Sequence, residues 1–176
     1  MYRFTRICAE EAQTFRSLYL TSQELVKDEW DTRSSHFAVL SKMQIVATAR
    51  VTPAYWGKLP FTDLVEVCRS CPVVEIDYAE IGRVLVAPTY RKSPVIMALY
   101  SGVIASLYRM KPRCSVVFID SIIQKDLQHK SLRTLGFAKT SYRYFDERYN
   151  VDSIVFVAPT ETLRNRLRSL KAALKS

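Results

Sequence analysis

No uncharged apolar run reaches the roughly 18 residues that a membrane span requires, so the longest apolar stretch belongs to a soluble core. Histidine is scarce: His36 and His129 are the only two, and neither has an identifiable partner in the sequence. The four cysteines are Cys8, Cys68, Cys71 and Cys114. Cys68-Arg-Ser-Cys71 has CxxC spacing, but no second paired set of ligands accompanies it, which argues against a structural zinc. It is either two thiols in a loop before Pro72 or a redox pair. Free thiols fit a reducing compartment, and the start, MYRFTRICAEEA, lacks an apolar signal core; both predict a cytosolic protein. Acids are the scarcer charge, 17 against 26 Lys and Arg, for a net charge of +9. That excess predicts an acidic partner, substrate or surface. There is no internal repeat and no low-complexity segment. A chain of 176 residues, 48% hydrophobic, suits one domain (1–176) with a full core.

What is present centres on Ile76 to Met110. Ile76, Tyr78, Val84 and Val86 share one parity and Ile81 and Leu85 the other, the mark of a strand buried on both faces. The strand ends at Ala87-Pro88, because proline cannot donate to a ladder and restricts the residue before it. Tyr90-Arg91-Lys92 forms a basic turn. Ser93 has N-cap chemistry and Pro94 suits a first helical position. No charge falls between Ser93 and Tyr108, which predicts a helix buried all round. A strand feeding a helix N-terminus through a basic turn makes an anion site beside Arg91 and Lys92, or else a plain core unit with solvated charges.

Before this stretch, Ala9 to Val26 is helical in pattern, with a second start at a capping box Thr21-Ser-Gln-Glu24. Lys27 to Ser35 is a polar loop holding Trp30 among acids. His36 to Leu40 and Gln44 to Val51 predict a hairpin turned at Ser41-Lys42, the second strand having one mostly polar face. Pro53 to Pro72 is irregular, with a short helical pattern near Thr62 to Val67. Beyond Met110 come a strand at Cys114 to Asp120, a helix stopped by Gly136, strands at Lys139 to Phe145 and Val151 to Ala158, and a last helix. That helix carries a stripe of Leu163, Leu167, Leu170 and Leu174. The order predicts an α+β fold, a mostly antiparallel mixed sheet flanked by helices.

This order, with its central strand, basic turn and helix and with Leu135-Gly136-Phe137 before the last strands, resembles the GNAT-type N-acyltransferases. Within them, several words resemble the acyl-homoserine lactone synthases and the long-chain N-acyl amino acid synthases. Glu80-Ile-Gly-Arg83 is similar to their E-x-S-R word, with Gly82 in place of serine. Ala49-Arg50-Val-Thr-Pro53 is similar to their arginine at the end of the second hairpin strand. Arg16, Tyr19, Trp30 and Asp31 keep the order of their N-terminal arginine, aromatic, tryptophan and acid, and Leu59-Pro60-Phe61 is similar to a later apolar word. Two departures stand out. GNAT enzymes that bind coenzyme A read R-x-x-G-x-G/A at the turn, whereas this chain reads Arg91-Lys-Ser-Pro-Val-Ile96 and keeps its four glycines elsewhere. Pro94 removes a donor and Ile96 limits close approach. A carrier-protein thioester, with one phosphodiester, demands less of this turn than coenzyme A does. Many relatives also place a tyrosine general acid four residues before the glycine, where this chain has Leu132. Tyr142, Tyr144 or a water would have to replace it, or the weakly basic thiolate leaves unaided.

The resemblance implies fatty acyl transfer from a thioester to an amine: an amino acid, an S-adenosylmethionine-like molecule, or a Lys or Orn side chain of a peptide. Acyl carrier protein is the favoured donor and acyl-coenzyme A the alternative, each a co-substrate with no resident cofactor or metal. Glu80 is the candidate base, or else one half of an ion pair with Arg83 or Arg50. Arg50 and Arg83 would grip an acceptor carboxylate, with Arg16, Tyr19, Trp30 and Asp31 completing that side. Val84, Leu85, Val86, Arg91, Lys92 and Ser93 would receive the donor, and Phe118, Tyr100 and Ile104 would line an acyl channel. The rival class is a non-catalytic module using a basic face on nucleic acid or an acidic protein. The last helix, with Arg164, Arg166, Arg168, Lys171 and Lys175, is basic enough, but no nucleic-acid recognition motif accompanies it.

Overall fold

The computed structural model describes residues 2–54, 77–110, 114–121, 127–146 and 150–173. The elements are β1 (Tyr2–Ile7), α1 (Ala9–Ser17), α2 (Gln23–Val26), β2 (Ser35–Ser41), β3 (Gln44–Pro53), β4 (Asp77–Val86) and α3 (Val95–Met110). After them come β5 (Cys114–Ser121), α4 (Leu127–Leu135), β6 (Ala138–Asp146), β7 (Val151–Pro159) and α5 (Thr160–Ala173). The expected helix near Thr62 to Val67, the word Leu59-Pro60-Phe61 and the pair Cys68 and Cys71 lie outside the described residues.

Two compact units are present. The first comprises Met1–Thr52 and Ile81–Val103, the second Pro53–Glu80 and Ile104–Ser176. The first carries strands in the order β1-β2-β3-β4 and the second in the order β4-β5-β7-β6, strand β4 contributing a part to each. The pairs β1–β2, β2–β3, β5–β7 and β6–β7 are antiparallel. This is the mixed, mostly antiparallel architecture expected, with helices flanking the sheet.

In the first unit, β1 is the element that the sequence pattern does not announce. Its Tyr-Arg-Phe-Thr-Arg-Ile run pairs only with β2, and Arg3 and Arg6 stand exposed, as charged residues do on an edge strand. Helix α1 begins at Ala9, as expected, with Cys8 as its cap: the Cys8 sulfur accepts from the Glu11 N–H, and Glu11 Oε2 accepts from the Cys8 N–H at 2.9 Å. That reciprocal pair satisfies two orphan donors. The expected capping box at Thr21 does not form; α2 is a single turn whose N-cap, Ser22, makes no side-chain cap bond. The hairpin turn falls one residue later than expected, at Lys42-Met43, because Ser41 pairs with Gln44. The polar face of β3 is not at the surface: Thr48, Arg50 and Thr52 are as buried as their apolar neighbours. Their polar groups have partners inside: Arg50 bonds Asp28 and Asp31, and Thr52 bonds Ser34.

Helix α3 starts one residue past the expected position, with the Ser93 hydroxyl accepting from the Val95 N–H at 3.4 Å. Val95, Leu99, Val103 and Leu107 are fully buried at helical spacing, with Tyr100 and Ile104 beside them. The other positions as far as Tyr108 are half-buried, so the helix is less enclosed than its uncharged sequence predicts. Where Gly102 passes β1, a Cβ would clash with the Phe4 ring, 2.2 Å from its nearest carbon, a ring itself stacked on Phe37 with centroids 5.4 Å apart.

In the second unit, Gly136 ends α4 at φ +101°, donating to the Arg133 carbonyl while the Phe137 N–H reaches the Leu132 carbonyl. This is a Schellman cap, and it requires a left-handed residue. The predicted stripe of α5 is present in Leu163 and Leu167, both buried, and in the half-buried Leu170. Leu174 lies outside the described residues. Among the described residues, no helix is long and apolar enough to cross a membrane.

Candidate functional site

The polar loop that holds Trp30 among acids is the start of a buried ionic network. The Asp28 carboxylate accepts from the Trp30 N–H at 3.0 Å, and the Asp31 N–H donates to the Asp28 carbonyl. This is an Asx-turn, which the Asp residue itself supplies. A 3-10 turn over Asp31–Arg33 comes next, and the Ser34 hydroxyl ties its end to the Trp30 carbonyl and to Thr52. The loop therefore presents Asp28 and Asp31 inward on fixed backbone.

Four elements supply cations or imidazole to these acids. Arg16 lies on the buried face of α1 with Ala12 and Phe15, and its Nη2 reaches Asp31 at 2.6 Å. Arg50, from β3, spans both acids, with Nη1 at 2.5 Å from Asp28 and 2.9 Å from Asp31. Arg83, from β4, reaches Asp28 at 2.7 Å and donates to the Leu25 carbonyl at 2.9 Å. His36, from β2, donates through Nε2 to the Asp31 carbonyl at 2.9 Å. Gln13 adds a further bond to Asp31 at 3.0 Å. Arg16, Arg50, Asp31 and His36 are all at most 3% exposed.

The electrostatics result from that burial. Desolvation lowers the Arg16 pKa, opposed by the charge of Asp31. Burial pushes the Asp28 carboxyl up, but hydrogen bonds from Arg50 and Arg83 outweigh it and hold the group below its usual range. Desolvation lowers the His36 pKa against the hydrogen bond to Asp31, so its imidazole is neutral. A buried charge without a partner costs several kcal/mol, so these groups stand or fall together.

Arg83 has a second peculiarity. Its φ is +51°, a left-handed conformation in the middle of a strand. For a non-glycine residue that costs about 1–2 kcal/mol. A left-handed residue breaks the period-2 alternation of β4 and re-aims the side chains beyond it, as bulges do. Glu80, Ile81 and Arg83 are buried, and Val84, Leu85 and Val86 are half-buried.

The remaining candidates are spread out. Tyr19 is exposed at the end of α1, its ring against Phe15 with centroids 5.3 Å apart, and Trp30 is half-buried. Arg91 and Lys92 are exposed on the turn after β4, where Tyr90 packs edge-on against Tyr2 of β1. Ser93 is half-buried and donates to the Tyr90 carbonyl. Tyr100 and Ile104 are buried in α3 and Leu132 in α4. The side chains of Phe118, Tyr142 and Tyr144 are outside the described residues. Of the two histidines, His129 is buried against Phe156, with ring centroids 5.0 Å apart. On the last helix, Arg164 lies over the Tyr108 ring, 3.9 Å from its centroid, leaving Arg166 and Arg168 as the exposed arginines.

Sequence reasoning offered Arg16, Asp31, Arg50 and Arg83 to a substrate, and the structure does bring these four together. It missed Asp28 and His36. The available signal was the spacing Asp28-x-x-Asp31 beside three arginines destined for buried elements.

The sequence profile of the acetyltransferase (GNAT) domain family matches residues 3–101, more than half of the chain. The chain belongs to that family and is an N-acyltransferase by class. No curated protein sequence matches it. Among solved structures, FeeM, an N-acyl amino acid synthase from uncultured soil microbes, is similar with a TM-score of 0.67, 11% identity and coverage of 94% of each chain. Arabidopsis thaliana NAA60 in complex with acetyl-CoA is similar with a TM-score of 0.65 and 14% identity, over 90% of this chain and 98% of that one. Escherichia coli ElaA is similar with a TM-score of 0.62 and 16% identity, over 89% and 99%.

Proposed function

We propose that this chain moves a fatty acyl group from the phosphopantetheine thioester of an acyl carrier protein to an amine, in the manner of acyl-homoserine lactone and N-acyl amino acid synthases. The observation that carries the donor assignment is the turn at Tyr90 to Ile96, which has no glycine and has Pro94 before the first helical turn, with Arg91 and Lys92 exposed beside it. Such a turn offers cations to a phosphodiester without the open backbone that a pyrophosphate uses. The similarity to FeeM supports the acyl amino acid side of the reading, and the acetyl-CoA complex of NAA60 supports coenzyme A as the alternative donor.

In this reading Glu80 takes a proton from the acceptor ammonium, because only the free amine is nucleophilic. The amine nitrogen attacks the thioester carbonyl, and backbone N–H groups of Val84 to Val86 hold the oxyanion. The C–N bond forms, the C–S bond breaks, and the thiolate leaves while the nitrogen gives up its second proton to it or to water. A thiolate is a weak base, so Leu132 at the general-acid position is tolerated. Tyr19 and Trp30 serve the acceptor, being accessible on the Leu18–Arg33 segment. Arg16, Asp31, Arg50 and Arg83 act as positioning residues, since Asp28 and Asp31 occupy the fork sites that an acceptor carboxylate would need.

The test offers acylated carrier protein and acyl-coenzyme A of equal chain length with candidate amines, products being identified by mass. Acylated amine from the carrier thioester, at a higher kcat/KM than from coenzyme A, is expected. No acylated product from either donor would refute the reading.

A further inference from the structure

The first unit is polarised along its strands. Residues 2–8, 35–52 and 81–103 contain no Asp or Glu; every acid of the unit falls within residues 10–31. Those acids gather toward the His36 end of β2, where Asp31 is bound. The opposite end is assembled by the register. Tyr2 pairs with Ser41, the residue before the hairpin turn, and its ring meets Tyr90 at 6.4 Å. The Ala87 N–H donates to the Val46 carbonyl of β3 at 2.9 Å. Hence Lys42 and Met43 stand at the same end as Pro88, Arg91 and Lys92, and all five are exposed. Five residues of strand, about 17 Å, separate Ser41 from His36. That is roughly two Debye lengths at physiological salt, so the acids of this unit are screened from the cations at this end.

The hairpin turn itself is unfavourable for the fold. With a two-residue loop and φ of +48° and +68°, it is a type I′ turn, which favours Asn-Gly. Lys42 and Met43 each bear left-handed strain there. Met43 is also 76% exposed, so its apolar side chain contributes nothing to the core. A partner that covers Met43 and answers Lys42 with a carboxylate would account for both.

We propose that the Lys42-Met43 tip and the Pro88–Lys92 turn together form a docking surface for an acidic carrier protein, with Met43 as apolar anchor and Lys42, Arg91 and Lys92 as cationic rim. This rests on the carrier-protein reading above, and it extends the donor contact beyond the turn to the β2–β3 hairpin. Surfaces of this kind place an apolar contact at the centre and complementary charge around it.

The double variant Lys42→Asn, Met43→Gly tests it, because these residues suit the turn while removing both contacts. Melting temperature should stay level or rise. Affinity for the holo form of an acyl carrier protein should fall tenfold or more, and kcat/KM for the acylated carrier should fall with it. Transfer from acyl-pantetheine, which has no protein to dock, should be unchanged. Equal affinity of variant and native chain for the carrier overturns the proposal. If the native chain binds the carrier but transfers nothing, the docking surface stands and the proposed function falls; if it uses acyl-pantetheine but does not bind the carrier, the surface falls. Binding to phosphatidylglycerol vesicles in place of the carrier, lost in the variant, also overturns it and reassigns the tip to a membrane.

Discussion

Replacing Asp31 with alanine tests the buried network most directly. Asp31 accepts from Arg16 at 2.6 Å, Arg50 at 2.9 Å and Gln13 at 3.0 Å, and it is 1% exposed. Arg50 would keep Asp28, but Asp31 holds the shortest bond of the buried Arg16 guanidinium, which the change would leave in a place that water does not reach. Removing one partner of such a pair costs about 3–5 kcal/mol, mostly the penalty of the charge left behind. Against a total stability of about 5–15 kcal/mol, that is a large fraction. For a chain of this size each kcal/mol lowers the melting temperature by about 2–4 °C, so a drop of about 6–20 °C is expected. Thermal unfolding tracked by circular dichroism measures it. A second change in the same chain, Arg16→Met, removes the stranded charge and should recover much of the loss, since a buried ion pair replaced by apolar groups is often neutral. An Asp31→Ala chain melting within about 2 °C of the native one, less than a single kcal/mol would produce, or a double variant no better than the single, would refute this reasoning.

The same geometry carries further expectations. Glu80→Gln should retain the melting temperature and lower acyl transfer about a hundredfold or more, the size of a lost general base; near-native turnover in the folded variant removes Glu80 from that role. Gly102→Ala should destabilise by about 1–2 kcal/mol, overpacking against the Phe4 ring outweighing the better helix propensity, and Phe4→Leu in the same chain should recover part of it by denaturant titration. Stability should fall as the pH drops from about 7 to 5, because the unfolded chain protonates His36 near 6.5 whereas the fold holds that pKa lower. His36→Gln, which keeps a donor for the Asp31 carbonyl, should flatten that slope. A second loss, through the depressed pKa of Asp28, should begin only as the pH falls toward about 4 and below.

Much of the fold was legible because its elements obey local rules. The uncharged run of α3, the glycine that ends α4 and the alternation in β2 and β3 each state their structure within a dozen residues. Strand β1 was illegible for a physical reason: an edge strand with Arg3 and Arg6 outward looks like any charged terminus until β2 is seen to pair with it. Threonine is a usual cap, which points to a capping box at Thr21, whereas Cys8 supplies the same acceptor through sulfur. At the site, the arginines were legible as functional types, but their partners were not. Asp28 and Asp31 sit in a segment rich in charge, and a sequence does not reveal that a short loop will be folded inward by its own Asx-turn. The burial of Arg50 had the same root. Alternation predicted a polar face, and a local pattern does not reveal that this face is interior, with Arg50 meeting Asp28 and Asp31 there.

The left-handed Arg83 ties these facts together. A glycine would adopt φ +51° without cost, and Gly82 is its immediate neighbour, yet the conformation falls on the arginine. A strand left to itself would relax such a residue, gaining about 1–2 kcal/mol. Relaxation is prevented because the guanidinium is fixed at two points, the Leu25 carbonyl and Asp28, while Asp28 is fixed in turn by Arg50. Charge-assisted bonds of this kind contribute about 1.5–3 kcal/mol each, enough to hold the bend. The network is therefore more than an internal balance of charge: it fixes the backbone of β4 at the residue before Val84, whose N–H group begins the run proposed to hold the oxyanion. A side chain that cannot grip both points, such as lysine in Arg83→Lys, should let the strand straighten. Steady-state kinetics would then show a lower kcat with little change in the acceptor KM, and a folded Arg83→Lys chain with native kcat would separate the bend from catalysis.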